Sequence, residues 1–215
     1  MTRLFTSILL LAIALTGLSQ EEKGDKKSNE ILDRLTAKTE AYKTISIEFA
    51  YKMENLDAGI DERTDGSLLI MGDKYRLNIA GQTVICDGET VWTYIADAEE
   101  VQINAVEDSE ESITPEKLLS SYNKDYKSKF IKEDFRYGTT VNIIDLTPTE
   151  GKSYSKVRLI IDKEKDQLHE ITIFDKNGST YSYVINKFTP NTDVSESSFT
   201  FDESKFPGVE VIDMR

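Results

Sequence analysis

Histidine occurs once in this chain, at His169, and cysteine once, at Cys86. A zinc site needs three or four ligands at set spacings, and a Cys–His nucleophile needs both partners within hydrogen-bond reach. One of each, far apart in sequence, supplies neither. His169 sits between Leu168 and Glu170 and reads as an exposed strand residue; Cys86 follows Val84 and Ile85 and reads as a buried one. There is no Gly-rich phosphate loop, no G-x-S-x-G elbow and no H-E-x-x-H helix. Carboxylates concentrate at Glu99-Glu100 and from Glu107 to Glu111. Without the alternating Asp/Asn ligands and fixed glycine of a calcium loop, they read as solvated charge. Carboxylate pairs for glycoside hydrolysis are assembled only by folding, and no pair stands out. The chain is read as having no catalytic residue, no metal site and no cofactor.

What remains is apolar surface, and the pattern that carries it is alternation. Ile45, Ile47, Phe49, Tyr51 and Met53 point one way, with Ser46, Glu48, Ala50 and Lys52 the other. Tyr75, Leu77 and Ile79 alternate with Lys74, Arg76 and Asn78, followed by short strands at Thr83–Asp87, Val91–Ile95 and Val101–Ile103. After a polar loop, Asn55–Asp65, this stretch describes a curved antiparallel sheet. Further strands are expected at Lys129–Arg136, Thr139–Leu146, Ser155–Asp162, Leu168–Asp175 and Tyr181–Phe188, with a last edge at Ser198–Phe201. Asn177-Gly178 is a strong hairpin signal.

Two helices complete the pattern. Ser28 or Asn29 can cap one that runs to about Tyr42, with Ile31, Leu32, Leu35, Thr39 and Tyr42 near one stripe. Thr114 and Pro115 open a short second helix whose Leu118 and Leu119 make it a candidate lid. The fold class is mainly β with added helices (α+β). It is expected to be an incomplete antiparallel β-barrel, or strongly curved sheet, whose N-terminal helix and lid enclose a hydrophobic cavity.

Residues 1–19 read as a signal peptide: Arg3, then an apolar run from Leu4 to Leu18, then Gly17-Leu18-Ser19 as a cleavage site. The run falls short of the roughly 20 residues of a spanning helix. Residues 20–27 are expected to be a flexible leader and 28–215 one domain. A formal charge of −13 argues against nucleic acid and against docking on an anionic membrane.

Together these segments resemble the LolA family of periplasmic lipoprotein carriers. The likeness rests on Ser46–Met53, Gly66-Ser67-Leu68, Lys74–Leu77, the stretch VICDGETVWTY at Val84–Tyr94, the hairpin Ile171–Ile185 and the ending Ser197–Ile212. The resemblance implies a periplasmic, non-enzymatic, monomeric carrier that shields the acyl chains of lipoproteins. It would receive them from an inner-membrane lipoprotein-releasing ABC transporter and pass them to an outer-membrane acceptor. The cavity would be lined by Phe49, Tyr51, Leu68, Tyr75, Leu77, Ile79, Trp92 and Tyr94, with Val91, Thr93 and Ile95 as the alternative inward set on their strand. The family's Arg-Pro pair after the G-x-L element is replaced by Met71-Gly72-Asp73, so gating by that arginine is not carried over. The rival reading is a periplasmic sensor or interaction module of the same fold.

Overall fold

The structure, a computed structural model, describes residues 25–106 and 122–215. The expected signal peptide, most of the leader, and Leu118 and Leu119 of the expected lid lie outside the described residues.

Asp25 starts the helix α1 (Lys26–Glu40) by accepting a hydrogen bond from the Ser28 backbone N–H at 2.7 Å, which satisfies one of the orphan donors of the first turn. The helix therefore begins upstream of the expected cap at Ser28 or Asn29. Ser28 is instead buried, its Oγ 2.7 Å from that of Ser128. Ile31, Leu32 and Leu35 form the buried stripe.

Twelve strands follow: β1 (Ile45–Asn55), β2 (Ile60–Met71), β3 (Lys74–Ile79), β4 (Gln82–Cys86), β5 (Thr90–Ile95) and β6 (Glu100–Ala105), then β7 (Tyr126–Arg136), β8 (Thr139–Pro148), β9 (Tyr154–Asp162), β10 (Gln167–Asp175), β11 (Thr180–Pro190) and β12 (Glu210–Asp213). They make one sheet in the order β12-β6-β5-β4-β3-β2-β1-β11-β10-β9-β8-β7. Every pairing is antiparallel except β12 on β6. The sheet is open, with β7 and β12 as its edges, so it is not a closed barrel. Two meanders, β1–β6 and β7–β11, are joined where β1 pairs with β11, from Ile45 opposite Pro190 to Glu54 opposite Thr180.

The expected loop at Asn55–Asp65 is mostly strand, because β1 and β2 continue as a ribbon with Lys52 opposite Arg63 and Glu54 opposite Asp61. Its charged residues face solvent on both sides, which hid the pairing from an argument based on oily alternation. The expected edge at Ser198–Phe201 is also absent. Glu196–Phe199 forms a 3₁₀ turn capped by Ser195, and the last strand is β12. The Asn177-Gly178 hairpin forms, with Gly178 at φ +88°, a conformation a side chain would strain.

Each half of the sheet has one face covered. Over β7–β10, α1 presses Ile31, Leu32 and Leu35 onto the concave face, among Ile144, Leu146, Val157, Leu159 and Ile161. Over β3–β6 it is the convex face that is covered, by the segment after β11. Ser198 O accepts from Arg76 Nη1 at 3.2 Å, Lys74 pairs with Glu196, and Phe199 is fully buried.

Candidate ligand cavity

The pairing register determines which side chains share a face. Ile47, Leu68 and Leu77 stand opposite one another across β1, β2 and β3, as do Ile45, Ile70 and Tyr75. On the other flank, Phe49 faces Ile185 across β11, after a bulge, and Tyr183 faces Ile171 on β10. These rows line a cavity of about 100 Å³ on the concave side, bounded by Ile47, Phe49, Leu68, Tyr75 and Leu77 from one half. Leu168, Ile171, Ile173, Tyr183 and Ile185 bound it from the other.

Ile47, Leu168 and Ile185 also line a wider cleft of about 260 Å³ that runs out beneath the end of α1. Its rim is polar: Thr39, Glu40 and Lys43 on one side, Asp166 on the turn after β9, and Gly72 on the turn after β2. Met71-Gly72-Asp73, where the family's gating arginine would stand, thus forms part of the mouth and contributes no side chain there at Gly72.

Among the described residues no charged group lines the inner cavity; its polar side chains are those of Tyr75 and Tyr183. Burial pushes the Tyr75 hydroxyl up to about 12, with the Cys86 thiol adding to the shift, and pushes Tyr183 up to about 12, with Tyr51 and Tyr181 adding. Both phenols stay neutral in any physiological medium. Such a surface suits apolar groups.

Gly66 shows how closely the wall is built. A Cβ at this position would sit 2.6 Å from Cε2 of Phe49 and 2.9 Å from the carbonyl oxygen of Asn78. The glycine of the G-x-L element is needed because the Phe49 ring lies across β2 at that point.

Of the residues expected in the cavity, the structure brings Phe49, Leu68, Tyr75 and Leu77 into its wall. Tyr51 lies just outside, its ring 5.2 Å from that of Tyr183, and Ile79 packs against the same cluster. Trp92 and Tyr94 stand on the opposite face. Trp92 is paired with Ile85 and Ile103, and Tyr94 packs 4.5 Å from Phe206 in the convex covering segment. Val91, Thr93 and Ile95 take the concave parity instead, opposite Cys86, Val84 and Gln82. The wall residues that sequence reasoning missed are Ile47 and the β10–β11 set, Leu168, Ile171, Ile173, Tyr183 and Ile185. Their signal was present in the alternation around Asn177-Gly178, once β11 is known to pair with β1.

Cys86 ends β4 fully buried. His169 is not the exposed residue expected: its ring stacks on Tyr137 at 5.2 Å, and its Nε2 lies 3.4 Å from Oδ2 of the buried Asp162, although neither atom makes a hydrogen bond. It is not among the residues that line the cavity. Among the described residues no group of three His, Cys, Asp or Glu could hold a metal ion.

Comparison with known proteins bears on the same sheet. The chain is 33% identical over 132 residues to an outer-membrane lipoprotein carrier protein of Histophilus somni (strain 2336), an alignment that covers 61% of this chain and 60% of the relative. The crystal structure of an uncharacterized conserved protein from Thermus thermophilus superposes with a TM-score of 0.60 at 11% identity, over 87% of this chain and 99% of that one. A LolA superfamily protein from Nitrosomonas europaea aligns over 81% of this chain and 98% of its own, with a TM-score of 0.44 at 12% identity. The family model described as outer membrane lipoprotein carrier protein LolA matches residues 35–202. That span runs from the end of α1 through every strand that lines the cavity, and on it this chain belongs to the LolA family.

Proposed function

We propose that this protein is a periplasmic carrier that shields the acyl chains of lipoproteins and moves them from the inner to the outer membrane. The observation that carries this reading is the charge-free cavity with its polar mouth, placed where the two halves of the sheet meet. Each buried methylene contributes about 0.8 kcal/mol, so about ten of them give roughly 8 kcal/mol before the cost of association and of ordering the chain is subtracted. Binding of that strength is reversible, and it needs a competing acceptor rather than a covalent step. In this scheme an inner-membrane lipoprotein-releasing ABC transporter loads the cavity and an outer-membrane acceptor empties it. With Met71-Gly72-Asp73 in place of an arginine, closure of the mouth falls to other rim groups, Glu40 and Lys43 at the end of α1 and Asp166 across from them.

Native mass spectrometry of the protein isolated from the periplasm tests the proposal. Co-purifying lipoprotein is the expected result. An empty protein, or one holding only free glycolipid, would overturn the carrier reading in favour of a sensor or interaction module.

A further inference from the structure

The formal charge of −13 hides a strong segregation. Residues 122–190, which hold β7 to β11, carry twelve Lys and Arg against ten Asp and Glu. Residues 43–106 and 191–215 together carry seven against eighteen. Within the less acidic half, cations gather on the β7 edge and the convex face beside it: Lys127, Lys129, Lys132 and Arg136 on β7, Lys156 and Arg158 on β9. The carboxylates among them are already engaged. Glu133 pairs with Lys27 and Lys163, Asp134 with Lys132 and Arg136, and Asp145 with Lys156 and Arg158. Lys127 and Lys129 stand exposed beside them.

A second, independent feature falls on the same edge. Among the described residues six large apolar side chains are exposed, and three of these, Ile131, Phe135 and Tyr137, lie on β7 and the turn that follows it. Phe135 is 72% exposed. Strand addition does not account for them, because the bulge between Phe130 and Lys132 and the charges along β7 are features that resist pairing with another strand. An acidic protein would neutralise the lysines and leave Phe135 unmatched, whereas Tyr137 already stacks on His169 and donates its hydroxyl to Glu170. A bilayer surface offers both at once: phosphates for the lysines, and an interfacial layer where an aromatic body is buried while its polar surroundings stay wet.

We propose that the β7 edge docks this protein on an anionic phospholipid bilayer, with Lys127 and Lys129 at the headgroups and Phe135 and Tyr137 at the interface. Net charge then orients the molecule rather than excluding it, since the acidic half is held away from the surface. Docking through β7 requires no cargo in the cavity, so it stands or falls separately from the carrier role.

The test is flotation of the full chain, expressed with its leader and purified after export. The vesicles are phosphatidylcholine alone, or phosphatidylcholine with one part in four phosphatidylglycerol. Binding is expected only to the anionic vesicles and should fall as salt rises. Lys127→Ala with Lys129→Ala should weaken it about 25-fold, about fivefold for each charge removed near the surface. Phe135→Ser should weaken it at every salt concentration. Arg63→Ala with Lys205→Ala, in the acidic half, should leave it unchanged. Three results would each overturn the proposal: no binding to anionic vesicles at low salt, an equal loss in the Arg63/Lys205 variant, or capture of a poly-glutamate peptide with no vesicle binding.

Discussion

The two halves of this sheet carry the same oily alternation and put it to different uses. Over β7–β10, α1 closes the concave face, and Leu146, Leu159 and Ile161 are entirely buried. Over β1–β3 the described residues leave the concave face as a wall, and Tyr75, Leu77 and Ile70 are only half-buried. The convex faces reverse the arrangement. The half sealed by α1 has a back where Asp145 pairs with Arg158 beside the buried Ile143 and Ile160, while β3–β6 are backed by Phe199 and its neighbours. Alternation determines which face of a strand is oily, and coverage by another element determines whether that face becomes a core or a site.

Substitutions of similar size in the two halves should therefore separate stability from binding. The largest effect is expected at Leu146→Ala in the sealed half. A fully buried leucine cut back to alanine costs about 2–5 kcal/mol, and at about 2–4 °C for each kcal/mol in a domain of this size the melting temperature should fall by about 4 °C or more. Affinity for a fluorescent fatty acid, measured on the folded fraction, should hardly move. Leu77→Glu in the open half should do the opposite, placing a carboxylate in a wall that has none. A loss of at least tenfold in fatty-acid affinity is expected, about 1.4 kcal/mol, with a smaller change in denaturant midpoint. Equal losses in binding and folding would make the wall an ordinary core.

How far the sequence alone reached can be traced along the same division. Most of the strands, the N-terminal helix and the Asn177-Gly178 turn were legible because each rests on local periodicity or local backbone demand. Phe49, Leu68, Tyr75 and Leu77 were legible as one face because strands β1–β3 are consecutive and their parity is set by short turns. Ile171, Ile173 and Tyr183 were not, since their place in the wall depends on the long-range pairing of β11 with β1, which no local pattern encodes. Trp92 and Tyr94 were misplaced for a different reason. Both faces of β4 and β5 are oily, with Val84, Cys86 and Val91 on one side and Ile85, Trp92 and Tyr94 on the other. Parity then determines which residues share a face without saying which face is inside. The covering segment Glu196–Phe206 decides it, and its Ser198–Phe201 stretch reads as an edge strand until Phe199, Phe201 and Phe206 are seen to pack behind the sheet.

The charged back of the sealed half gives a smaller, pH-dependent effect. Burial by itself raises the Asp145 carboxyl, but Arg158, whose Nε lies 2.7 Å from Oδ1 and Nη2 2.9 Å from Oδ2, outweighs it together with Lys156 and holds the carboxyl below the usual range. A carboxylate whose folded pKa is depressed stabilises the fold above its unfolded value, about 3.9, and that stability is lost as pH falls through the folded value. Asp145→Asn should therefore cost about 1 kcal/mol at neutral pH. The gap between variant and parent in urea titrations should close as pH drops below about 4. A gap that stays constant with pH would show that packing, not charge, holds the back together.

The smallest expected signal is an absence of change, and it tests the face assignment most directly. Trp92 is the only tryptophan in the chain, so its emission reports one place. It sits between Ile85 and Ile103 on the convex side, across the sheet from Tyr75 and Leu77. Filling the cavity with a saturated fatty acid should dry the environment of Tyr75 and Tyr183 and leave Trp92 in the same surroundings. Its emission maximum and its quenching by acrylamide should then be the same with and without ligand, while Tyr75→Phe or Leu77→Glu alters the affinity. A blue shift of Trp92 that saturates with bound fatty acid would place its indole against the ligand. The oily face of β5 that lines the site would then be the one backed here by Phe206, and the division between covered and open faces would have to be redrawn along β4–β6.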